Sequence, residues 1–534
     1  MVEIPACGYT AGLDALAMDP LAERWLVGHL DAGALARVRE LDEVISEHAL
    51  RVARYVDQWA PPRLQAHDLD GQRVDEVVLA EEHRSLLKAL RPMVGLALHP
   101  RHGVLAALAA GYLLADPGLY CSLTLTTQVA LVLSELEPHH QALGRLVHGP
   151  WFGATWFTET HAGSDLGALK ARAHQRPDGT WTIERAEKYF ASNAGLADVA
   201  LVAAHVGEPR GVRSLGLFLV RRRRDDGSVT FSVRRLKDKL GTRAVPTGEV
   251  DLDHTPAQLL AGPPDGVHRI LESLTFARVA NAMSAAGIAR IVVGEATLRG
   301  QHRLAFGRQL TAHPAFADDL ARMRARQIAT TMLAFELAEL TQEAVGSHHG
   351  QRPYQLLRAL SHVAKVTTAS SAVRLSEQAM ISFGGLGYVE DAPIARWHRE
   401  ALVLPIWEGT PHVHALDAAE VLSQRDVRDE LVERLVASAP GSVGAALTEA
   451  AWRLASRIAE APPNARLLLE RLGAVLASAV VARLDLPGID PEPLAAWLAA
   501  AALEGEPDET PPLGGLPPLE LDRQRQSGED DLSR

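Results

Sequence analysis

The chain has 534 residues, of which 47% are hydrophobic and 22% are charged, a composition that excludes both a disordered chain and a small disulfide-stapled scaffold. Its length allows about three domains, and its two cysteines, Cys7 and Cys121, exclude a disulfide framework and a Cys-x-x-Cys metal or redox site. The formal net charge of −12 argues against binding of nucleic acid through overall charge.

The amino terminus lacks the basic and apolar regions of a secretory signal. The longest uncharged apolar stretches, around Val104 to Ala115 and Leu494 to Leu503, fall short of the roughly 18 residues that a membrane-spanning helix needs. We therefore expect a soluble, cytoplasmic protein without a membrane partner.

Residues 1–150 are predicted to form a helical N-terminal domain. Apolar residues recur there at intervals of three and four, as at Leu35, Val38 and Leu41, which is typical of amphipathic helices. A polar interlude rich in turn-forming residues, PPRLQAHDLDGQRVDEV, interrupts the helical pattern at residues 61–77.

Residues 151–262 are predicted to form a β-domain. Short runs of β-branched, aromatic and alternating residues occur as TWTI, ADVALVAAHV, SLGLFLV, VTFSV and EVDLD. Turn signals of the type Pro-Asp-Gly and Asp-Asp-Gly separate them, at the spacing of an antiparallel sheet or barrel.

Helical patterns return in residues 263–424. The stretches Arg278 to Leu304, Phe316 to Val345 and Tyr354 to Phe383 are each long enough to be one rod of a helical bundle. Residues 425–504 are rich in Ala, Leu and Arg and are predicted to be a helical extension. Residues 505–534 are Pro-rich, charged and of low complexity, and we expect them to be disordered.

Several common chemical motifs do not occur in the sequence. It has no G-x-x-x-x-G-K-[ST] phosphate loop, no G-x-S-x-G nucleophile elbow and no H-E-x-x-H metal helix, which argues against an NTPase, a lipase-type hydrolase and a zinc peptidase. The adjacent histidines at 139–140 and 348–349 lack the i, i+4 geometry of a metal-ligand pair. We therefore predict no metal site.

Two segments of the β-domain have residues suited to a cofactor. In TWFTETHAGSDLGALKARA, the small residues Gly163 and Ser164 permit close backbone approach to a polar ring edge or a phosphate, although a tight turn explains them as well. In EKYFASNAGLADVA, Phe190 and Ser192 could flank a planar cofactor, and a strand with a polar turn is an equally good interpretation.

A third segment, IWEGTP, contains a candidate catalytic carboxylate. Glu408 lies between Trp407 and Gly409, after an apolar run and before a predicted helix start at Thr410 and Pro411. A carboxylate among apolar groups has a raised pKa and becomes a better proton acceptor near neutrality. The alternative is an acid that complements the dipole of the following helix.

Five motifs occur in order along residues 151–422: TETHAGSD, KYFASN, RLAFGRQL, FGGLGY and IWEGT. In this order, within helical, β and helical regions, they resemble the FAD-dependent acyl-CoA dehydrogenase superfamily. The stretch RRLKDKLGTRA at 234–244, the GGLGYVED and WHRE stretches and the long terminal regions make the resemblance closer to the branch of the adaptive-response flavoprotein AidB.

The resemblance implies an α+β fold with a helical N-terminal domain, a central antiparallel β-barrel and a C-terminal four-helix bundle plus a helical extension. It implies FAD as cofactor, bound between the domains and completed by a second subunit of a homodimer or homotetramer. It also implies that Glu408 takes the α-proton of an acyl-CoA thioester while a β-hydride passes to the flavin. An electron-transfer flavoprotein is the implied electron acceptor.

The resemblance assigns roles to further residues. Arg278 stands where the family often has an arginine near the catalytic carboxylate, and an ordinary helix-surface arginine is the alternative. Ser164 and Gly409 are the implied substrate contacts. The residues that match family contacts to FAD are Thr158, Gly163, Ser164, Phe190, Ser192, Arg303, Phe306, Gly384, Gly385, Gly387 and Thr410.

Departures from the family pattern leave other functions open. His313-Pro314 and Pro411-His412 stand where many dehydrogenases have Gln, so the cofactor contacts there differ. An alternative function is that of the AidB branch, a flavoprotein that binds DNA in an alkylation-stress response with weak dehydrogenase activity. Residues after Gln424 include more acidic than basic side chains and no lysine, which disfavours DNA binding. The RRRR run at 221–224 is a local counter-argument, and a flavoprotein oxidase acting on another carbon acid is a third candidate.

Overall fold

The structure is a computed structural model that describes residues 8–436, 439, 441–484 and 490–513. Its N-terminal region is mainly helical. A π-helical turn, Ile45–Ala49, joins the third helix to the fourth. The helices are α1 (Ala15–Met18), α2 (Pro20–His29), α3 (Ala32–Val44), α4 (Leu50–Gln58), α5 (Glu81–Ala89), α6 (Pro92–Ala97), α7 (Gly103–Leu114), α8 (Pro117–Leu136) and α9 (Gln141–Val147).

The polar interlude of the N-terminal region is an antiparallel hairpin, which the sequence analysis did not predict. Its strands are β1 (Arg63–His67) and β2 (Arg73–Val78). The strands alternate exposed and more buried residues, so half of their side chains face solvent and their apolar content is low. A short strand of this kind has too weak a hydrophobic pattern to be recognised.

The β-domain is a closed barrel with a smaller sheet beside it. The strand order in the barrel is β7-β4-β5-β11-β8, and the pairing of β8 with β7 closes it. Strand β3 pairs with β7 on its other side. The second sheet has the strand order β6-β10-β9. The pairings of β7 with β3 and β4 are parallel, and the others are antiparallel. The strands are β3 (Gly153–Trp156), β4 (Arg172–Gln175), β5 (Trp181–Glu184), β6 (Ala186–Ser192), β7 (Val199–Val206), β8 (Leu215–Arg221), β9 (Ser232–Leu236), β10 (Thr247–Leu252) and β11 (Thr255–Ala261).

The C-terminal region begins with a long helix that leads into a bundle. In this bundle α10, α11 and α12 pack against one another, and α14 packs on α12. Helix α17 of the helical extension packs on α11, α12 and α14. A small hairpin, β12 (Leu304–Ala305) and β13 (Arg308–Gln309), follows α10. The helices are α10 (Asp265–His302), α11 (Pro314–Glu343), α12 (Arg352–Ser382), α13 (Pro393–Ala401), α14 (Pro411–Leu422), α15 (Arg425–Val436), α16 (Gly441–Ala459), α17 (Ala465–Ala482) and α18 (Glu492–Leu503).

The predicted α+β architecture of helical region, barrel and helical bundle with extension is therefore confirmed. The N-terminal helices, the bundle and the extension share one apolar core, and the barrel has its own. Two helices, α8 and α10, are long and apolar enough to cross a membrane by length and composition, and 67% and 94% of their most apolar windows are buried within the fold.

Buried ion pairs of α13 connect the three regions next to the site. Arg396 pairs with Asp116, the N-cap residue of α8. Glu400 accepts a hydrogen bond of 2.7 Å from the backbone N–H of Thr242 in the barrel domain, and Arg399 pairs with Asp57 of α4. Because breaking a buried pair leaves an uncompensated charge, these contacts fix α13 and the loop after it.

The predicted disordered tail is ordered in its first part. Residues 505–513 lie along α11, where Arg322 donates a 2.8 Å hydrogen bond to the carbonyl of Pro507. Trp497 of α18 donates from Nε1 to the carbonyl of Glu509 at 2.9 Å. Arg322 and Trp497 thus donate hydrogen bonds to backbone carbonyls of a segment whose prolines disfavour a helix. Residues 514–534 lie outside the described residues.

Candidate active site

The candidate base, Glu408, lies on the loop between α13 and α14 in a strained backbone conformation. Glu408 has φ +56° and Gly409 has φ +104°, both in the left-handed region that non-glycine residues avoid. Two buried cations hold this turn. Lys365 of α12 donates from Nζ to the carbonyl of Gly409 at 2.6 Å, and Arg278 of α10 approaches the carbonyl of Glu408 with Nε at 3.4 Å.

The electrostatics of the site favour a carboxylate with an elevated proton affinity. Burial raises the pKa of Glu408, and the positive charges of Arg278 and Lys365 oppose this increase. Burial also lowers the pKa of Lys365 to about 7, and the negative charge of Glu408 opposes this decrease. Arg278 has a second anionic partner, Asp417, with Nη2 3.7 Å from its Oδ2. Two carboxylates and two cations thus interact at this site, and burial raises the pKa of both carboxylates.

Glu408 faces a narrow cavity of about 30 Å³ between α8 and α10. Cys121, on the wall of this cavity, interacts with Ser192 of β6, in the smaller sheet of the β-domain. Burial raises the pKa of the Cys121 thiol to about 12; Lys239 and Ser192 oppose this increase, and Glu408 adds to it. The cavity is lined by Pro117, Tyr120, Cys121, Thr124, Leu125, Gln128, Ala277, Ala280, Asn281, Ser284, Trp407 and Glu408.

The turn predicted to contact the flavin is held by a buried ion pair. Lys188 lies 2.9 Å from Glu159, and Glu159 also accepts a 2.7 Å hydrogen bond from the backbone N–H of Lys170. The carbonyl of Thr158 accepts from the backbone N–H of Tyr189 at 3.1 Å, which ties the turn to β6. Gly163 and Ser164 follow at the exposed tip.

Phe190 and Ser192 lie on β6, beside this turn. The Phe190 side chain is 59% exposed, which is high for an aromatic ring on a strand, and the Lys237 ammonium lies 4.8 Å from its centroid. The Ser192 hydroxyl lies 3.3 Å from that of Thr247. The sheet therefore presents an aromatic face and hydroxyl groups on one surface, as a planar ring system requires.

A second, larger cavity of about 830 Å³ lies between the end of α10 and the end of α12. Arg303, Gly384 and Gly385 line it, and a Cβ at either glycine would meet no atom within 4 Å. At Gly387, by contrast, a Cβ would lie 2.1 Å from the carbonyl of Met380. Gly387 therefore shapes the turn, while the other two glycines leave backbone open to a ligand. Phe306, on the neighbouring hairpin, is 96% exposed.

The structure thus brings the predicted residues together in two places. Glu408, Gly409 and Arg278 share one site, which is close to Ser192 of β6 through Cys121. Arg278 is buried there, so its interpretation as a surface residue is wrong. Arg303 lies elsewhere. It follows Arg278 by 25 positions at the end of the same helix, a distance of about 37 Å at 1.5 Å per residue.

Other predictions at the site have mixed outcomes. Thr410 is the N-cap residue of α14 and Pro411 its first residue, as predicted, but the Thr410 side chain makes no capping hydrogen bond. The arginines at 221–224 lie at the end of β8 and in the turn after it, where Arg221 pairs with Asp225. Arg222 is not solvated but buried, and its Nη2 donates to the carbonyl of Asp75 at 2.7 Å. Within the described residues, no group of three or more His, Cys, Asp or Glu side chains is arranged to hold a metal ion.

Sequence reasoning missed three residues of the site: Lys365, Gln128 and Asn281. Each is a polar side chain within a long helical pattern, and no short motif marks it. The available signal was a lysine within an otherwise apolar stretch of α12, and two amides on faces whose other members are small or apolar. These residues can be assigned to the site only when it is known which helices pack around it.

Three family models match successive parts of the chain. They are "Adaptive response protein AidB N-terminal domain" at residues 8–149, "Acyl-CoA dehydrogenase, middle domain" at 154–255 and "Acyl-CoA dehydrogenase, C-terminal domain" at 264–423. Together they extend through the helical region, the barrel and the bundle that contains Glu408.

Individual relatives agree with these matches. Acyl-CoA dehydrogenase family member 11 of Caenorhabditis elegans is 29% identical over 68% of this chain, and the match spans 63% of that protein, less than two thirds of its length. The putative acyl-CoA dehydrogenase AidB of Escherichia coli is 27% identical over 70% of this chain and 72% of its own. The structure of Caenorhabditis elegans ACDH-11 in complex with C11-CoA has a TM-score of 0.81 at 23% identity, and covers 95% of this chain and 93% of that one.

The fold and the family matches define the class: the chain belongs to the acyl-CoA dehydrogenase superfamily, whose members are flavoproteins. Within that superfamily, its N-terminal region is an AidB-type domain.

Proposed function

We propose that the protein catalyses FAD-dependent α,β-dehydrogenation of an acyl-CoA thioester to the trans-2-enoyl-CoA, with Glu408 as the base. The observation that carries this proposal is the position of Glu408, a half-buried carboxylate on a strained turn at the end of a narrow cavity. Its surroundings raise its pKa, which brings the proton affinity of the carboxylate closer to neutral pH.

The residues around Glu408 have distinct tasks in this reaction. The Glu408 carboxylate takes the α-proton, and Arg278 and Lys365 hold the turn in place through the carbonyls of Glu408 and Gly409. The backbone N–H of Glu408 donates to no acceptor within the described residues, and we assign it to the thioester oxygen, where negative charge develops. FAD, when bound, supplies the acceptor for the β-hydride.

The residues of this chain fit FAD. Phe190, Ser192 and the turn at Thr158 form an exposed aromatic and hydroxyl-bearing surface for the ring system, next to the cavity of Glu408. The cavity at Arg303 offers a guanidinium and two open glycines, which suit a diphosphate. These are the residues that would hold the two ends of the cofactor.

We further propose that a second subunit completes the FAD site, in a homodimer or homotetramer. The two candidate sites are about 37 Å apart along α10, a distance that one FAD molecule bound within a single subunit does not span. Exposed apolar side chains surround the Arg303 cavity, a pattern typical of subunit contacts. They are Leu304, Phe306, Ile381, Leu386 and Tyr388. An electron-transfer flavoprotein is the electron acceptor in this proposal.

The alternative function, DNA binding in an alkylation-stress response, has less support from the arrangement of charge. DNA affinity depends on cations that are free to neutralise phosphates. In the described part of the C-terminal extension, most arginines instead pair with carboxylates, as Arg434 does with Glu343 and Arg483 with Glu336. A salt-sensitive shift of duplex DNA by the purified protein would favour this alternative.

The test of the proposed function is an anaerobic titration of the FAD-loaded protein with short, branched, long and aromatic acyl-CoA thioesters. Bleaching of the visible flavin band by one class is the expected result, and identifies the substrate class at the same time. A yellow protein that no thioester bleaches would refute the dehydrogenase proposal. A protein that takes up no FAD would refute the cofactor assignment.

A further inference from the structure

A third cavity, of about 1000 Å³, lies between the N-terminal helices and the β-domain. Its lining residues come from α3, α5 and α6, from the hairpin strand β2 and from the segments before β3, after β6 and after β8. It shares no lining residue with the cavities at Glu408 and Arg303. None of its residues has a task in the proposed dehydrogenation.

Three exposed cations line this cavity: Arg37 of α3, and Arg84 and Lys88 of α5. None of these side chains forms a hydrogen bond or an ion pair within the described residues. Arg84 and Lys88 are four positions apart, so they lie on the same face of α5, where like charges repel each other. An anion bound next to them would relieve this repulsion.

Two buried guanidinium groups add to the positive charge of the wall. Arg91 and Arg222 line the cavity and are 9% and 8% exposed. Arg91 donates to the carbonyl of Pro150 at 3.2 Å, and Arg222 donates to that of Asp75 at 2.7 Å. Neither guanidinium forms an ion pair within the described part of the chain, although burial disfavours the charge and lowers the pKa of both. Because an arginine keeps its charge at neutral pH, both remain positive.

The lining as a whole has a surplus of positive charge. Five of its side chains are cationic, and two, Glu76 and Asp198, are acidic. Burial raises the pKa of Asp198, and a 2.9 Å hydrogen bond from the backbone N–H of Phe152 opposes this increase. On a chain with a net charge of −12, a cavity of this kind attracts anions that the rest of the surface repels.

The rest of the wall is mainly apolar, which restricts the kind of anion that fits. An apolar wall with a few charged groups suits a ligand that has an apolar or aromatic body beside its anionic group. The apolar side chains are those of Leu79, Leu87, Leu96, Val147, Phe152 and Leu196.

We propose that this cavity binds a small organic phosphate with an aromatic or apolar body. The phosphate would bind Arg84 and Lys88, with Arg37 as a further cation, and the body would lie on the apolar wall. A phosphate group carries up to about two negative charges and three acceptor oxygens, which match several cations better than one carboxylate does. This binding function goes beyond the proposed dehydrogenase function and does not depend on it.

Pyridoxal 5′-phosphate is the probe for a test in the FAD-loaded protein. Its aldehyde forms an imine with a lysine amine and releases water, and borohydride reduces the imine to a stable secondary amine that peptide mass spectrometry locates. We expect half-maximal labelling of Lys88 at a concentration about tenfold or more lower than with 5′-deoxypyridoxal, which lacks the phosphate. Lys170 is also exposed and lies outside the cavity, so its labelling gives the intrinsic difference between the two aldehydes.

Variants of the lining show whether the cavity causes the preference. Arg84→Met and Arg37→Met should each reduce the preference for the phosphorylated aldehyde at Lys88, and inorganic phosphate should protect Lys88 from labelling. Arg101→Met, an exposed position outside the cavity, should keep the wild-type preference. An equal preference at Lys88 and Lys170, or one that Arg84→Met leaves unchanged, would overturn the proposal.

Flavin bleaching separates this proposal from the dehydrogenase function. The protein labelled at Lys88 should be bleached by a thioester as fast as the unlabelled protein, because the cavity is separate from that of Glu408. Loss of bleaching on labelling would place the cavity on the path of the thioester and overturn a separate binding site. A failure of every thioester to bleach the unlabelled protein would refute the dehydrogenase proposal alone.

Discussion

Lys365 offers a sharp test of the electrostatics at the candidate base. Its ammonium is buried on α12, 2.6 Å from the carbonyl of the residue that follows Glu408. Lys365→Met removes the positive charge and keeps a chain of similar length in the same space. Because a nearby positive charge favours the ionised carboxylate, we expect the pKa of Glu408 to rise in this variant.

The size of the change follows from Coulomb's law. At about 6 Å, the outer end of the range over which an opposite charge shifts the pKa of a carboxyl group, two unit charges at an effective dielectric constant of about 20 interact with roughly 2.8 kcal/mol, or about two pKa units. Burial lowers the pKa of Lys365 to about 7, so its ammonium is partly deprotonated near neutral pH and the effect is reduced there. We expect a net increase of about one pKa unit for Glu408.

The direction in which the pH profile of kcat/KM should move also follows from this reasoning. The base must be deprotonated to act, so kcat/KM rises as the pH increases through the pKa of Glu408. The acid limb of the pH profile should therefore move to higher pH by about one unit in Lys365→Met, and Lys365→Arg should restore much of it. An infrared titration of the Glu408 carboxyl band, identified by its loss in Glu408→Gln, measures the same shift without substrate.

Lys239→Met is the matched control. Lys239 is half-buried, desolvation lowers its pKa to about 8, and its Nζ donates to the carbonyls of Thr242 and Val245 at 2.6 and 2.7 Å. Its loss removes a lysine that tethers a loop and leaves the charge next to Glu408 unchanged. An acid limb that stays in place or moves to lower pH in Lys365→Met, or that moves equally in Lys239→Met, would refute the electrostatic reasoning.

Two further predictions concern the cofactor and the fold. Arg303→Met should weaken FAD binding about tenfold or more, because a charge-assisted hydrogen bond to a phosphate is lost. Equilibrium dialysis measures the dissociation constant of FAD, with Arg308→Met as the control. Equal affinity for FAD in the two variants would contradict the assignment of Arg303. Gly287→Ala should lower the free energy of unfolding by about 1–3 kcal/mol, because the new Cβ would lie 2.4 Å from the carbonyl of Tyr112 where α10 crosses α7. Gly28→Ala meets no atom within 4 Å and is the control for urea unfolding.

Much of the architecture follows from local patterns in the sequence. The helices α10, α11 and α12 are long stretches of helix-forming residues, and the buried strands β7 and β8 are continuous apolar runs, so both kinds of element were predicted. The hairpin β1–β2 and the short strand β4 were not, because half-exposed strands of four to six residues have little apolar signal. The partly parallel pairing of β7 depends on tertiary contacts that no local pattern specifies.

The candidate site divides in the same way. Glu408 and Arg303 lie in short motifs whose order along the chain is distinctive, so both were identified from the sequence. Lys365, Gln128 and Asn281 lie on helices that are buried on all sides near the site, where periodicity does not distinguish a face towards a cavity from a face towards solvent. Their positions at the site depend on how these helices pack together.

The central claim is that Glu408 removes the α-proton, and the direct measurement is the rate of flavin bleaching in Glu408→Gln under anaerobic conditions. With the thioester that bleaches the wild-type flavin, we expect Glu408→Gln to retain FAD and to bleach about 10²- to 10⁴-fold more slowly. Glu433→Gln, an exposed position on α15, should bleach at the wild-type rate. Wild-type bleaching by Glu408→Gln would show that another group is the base.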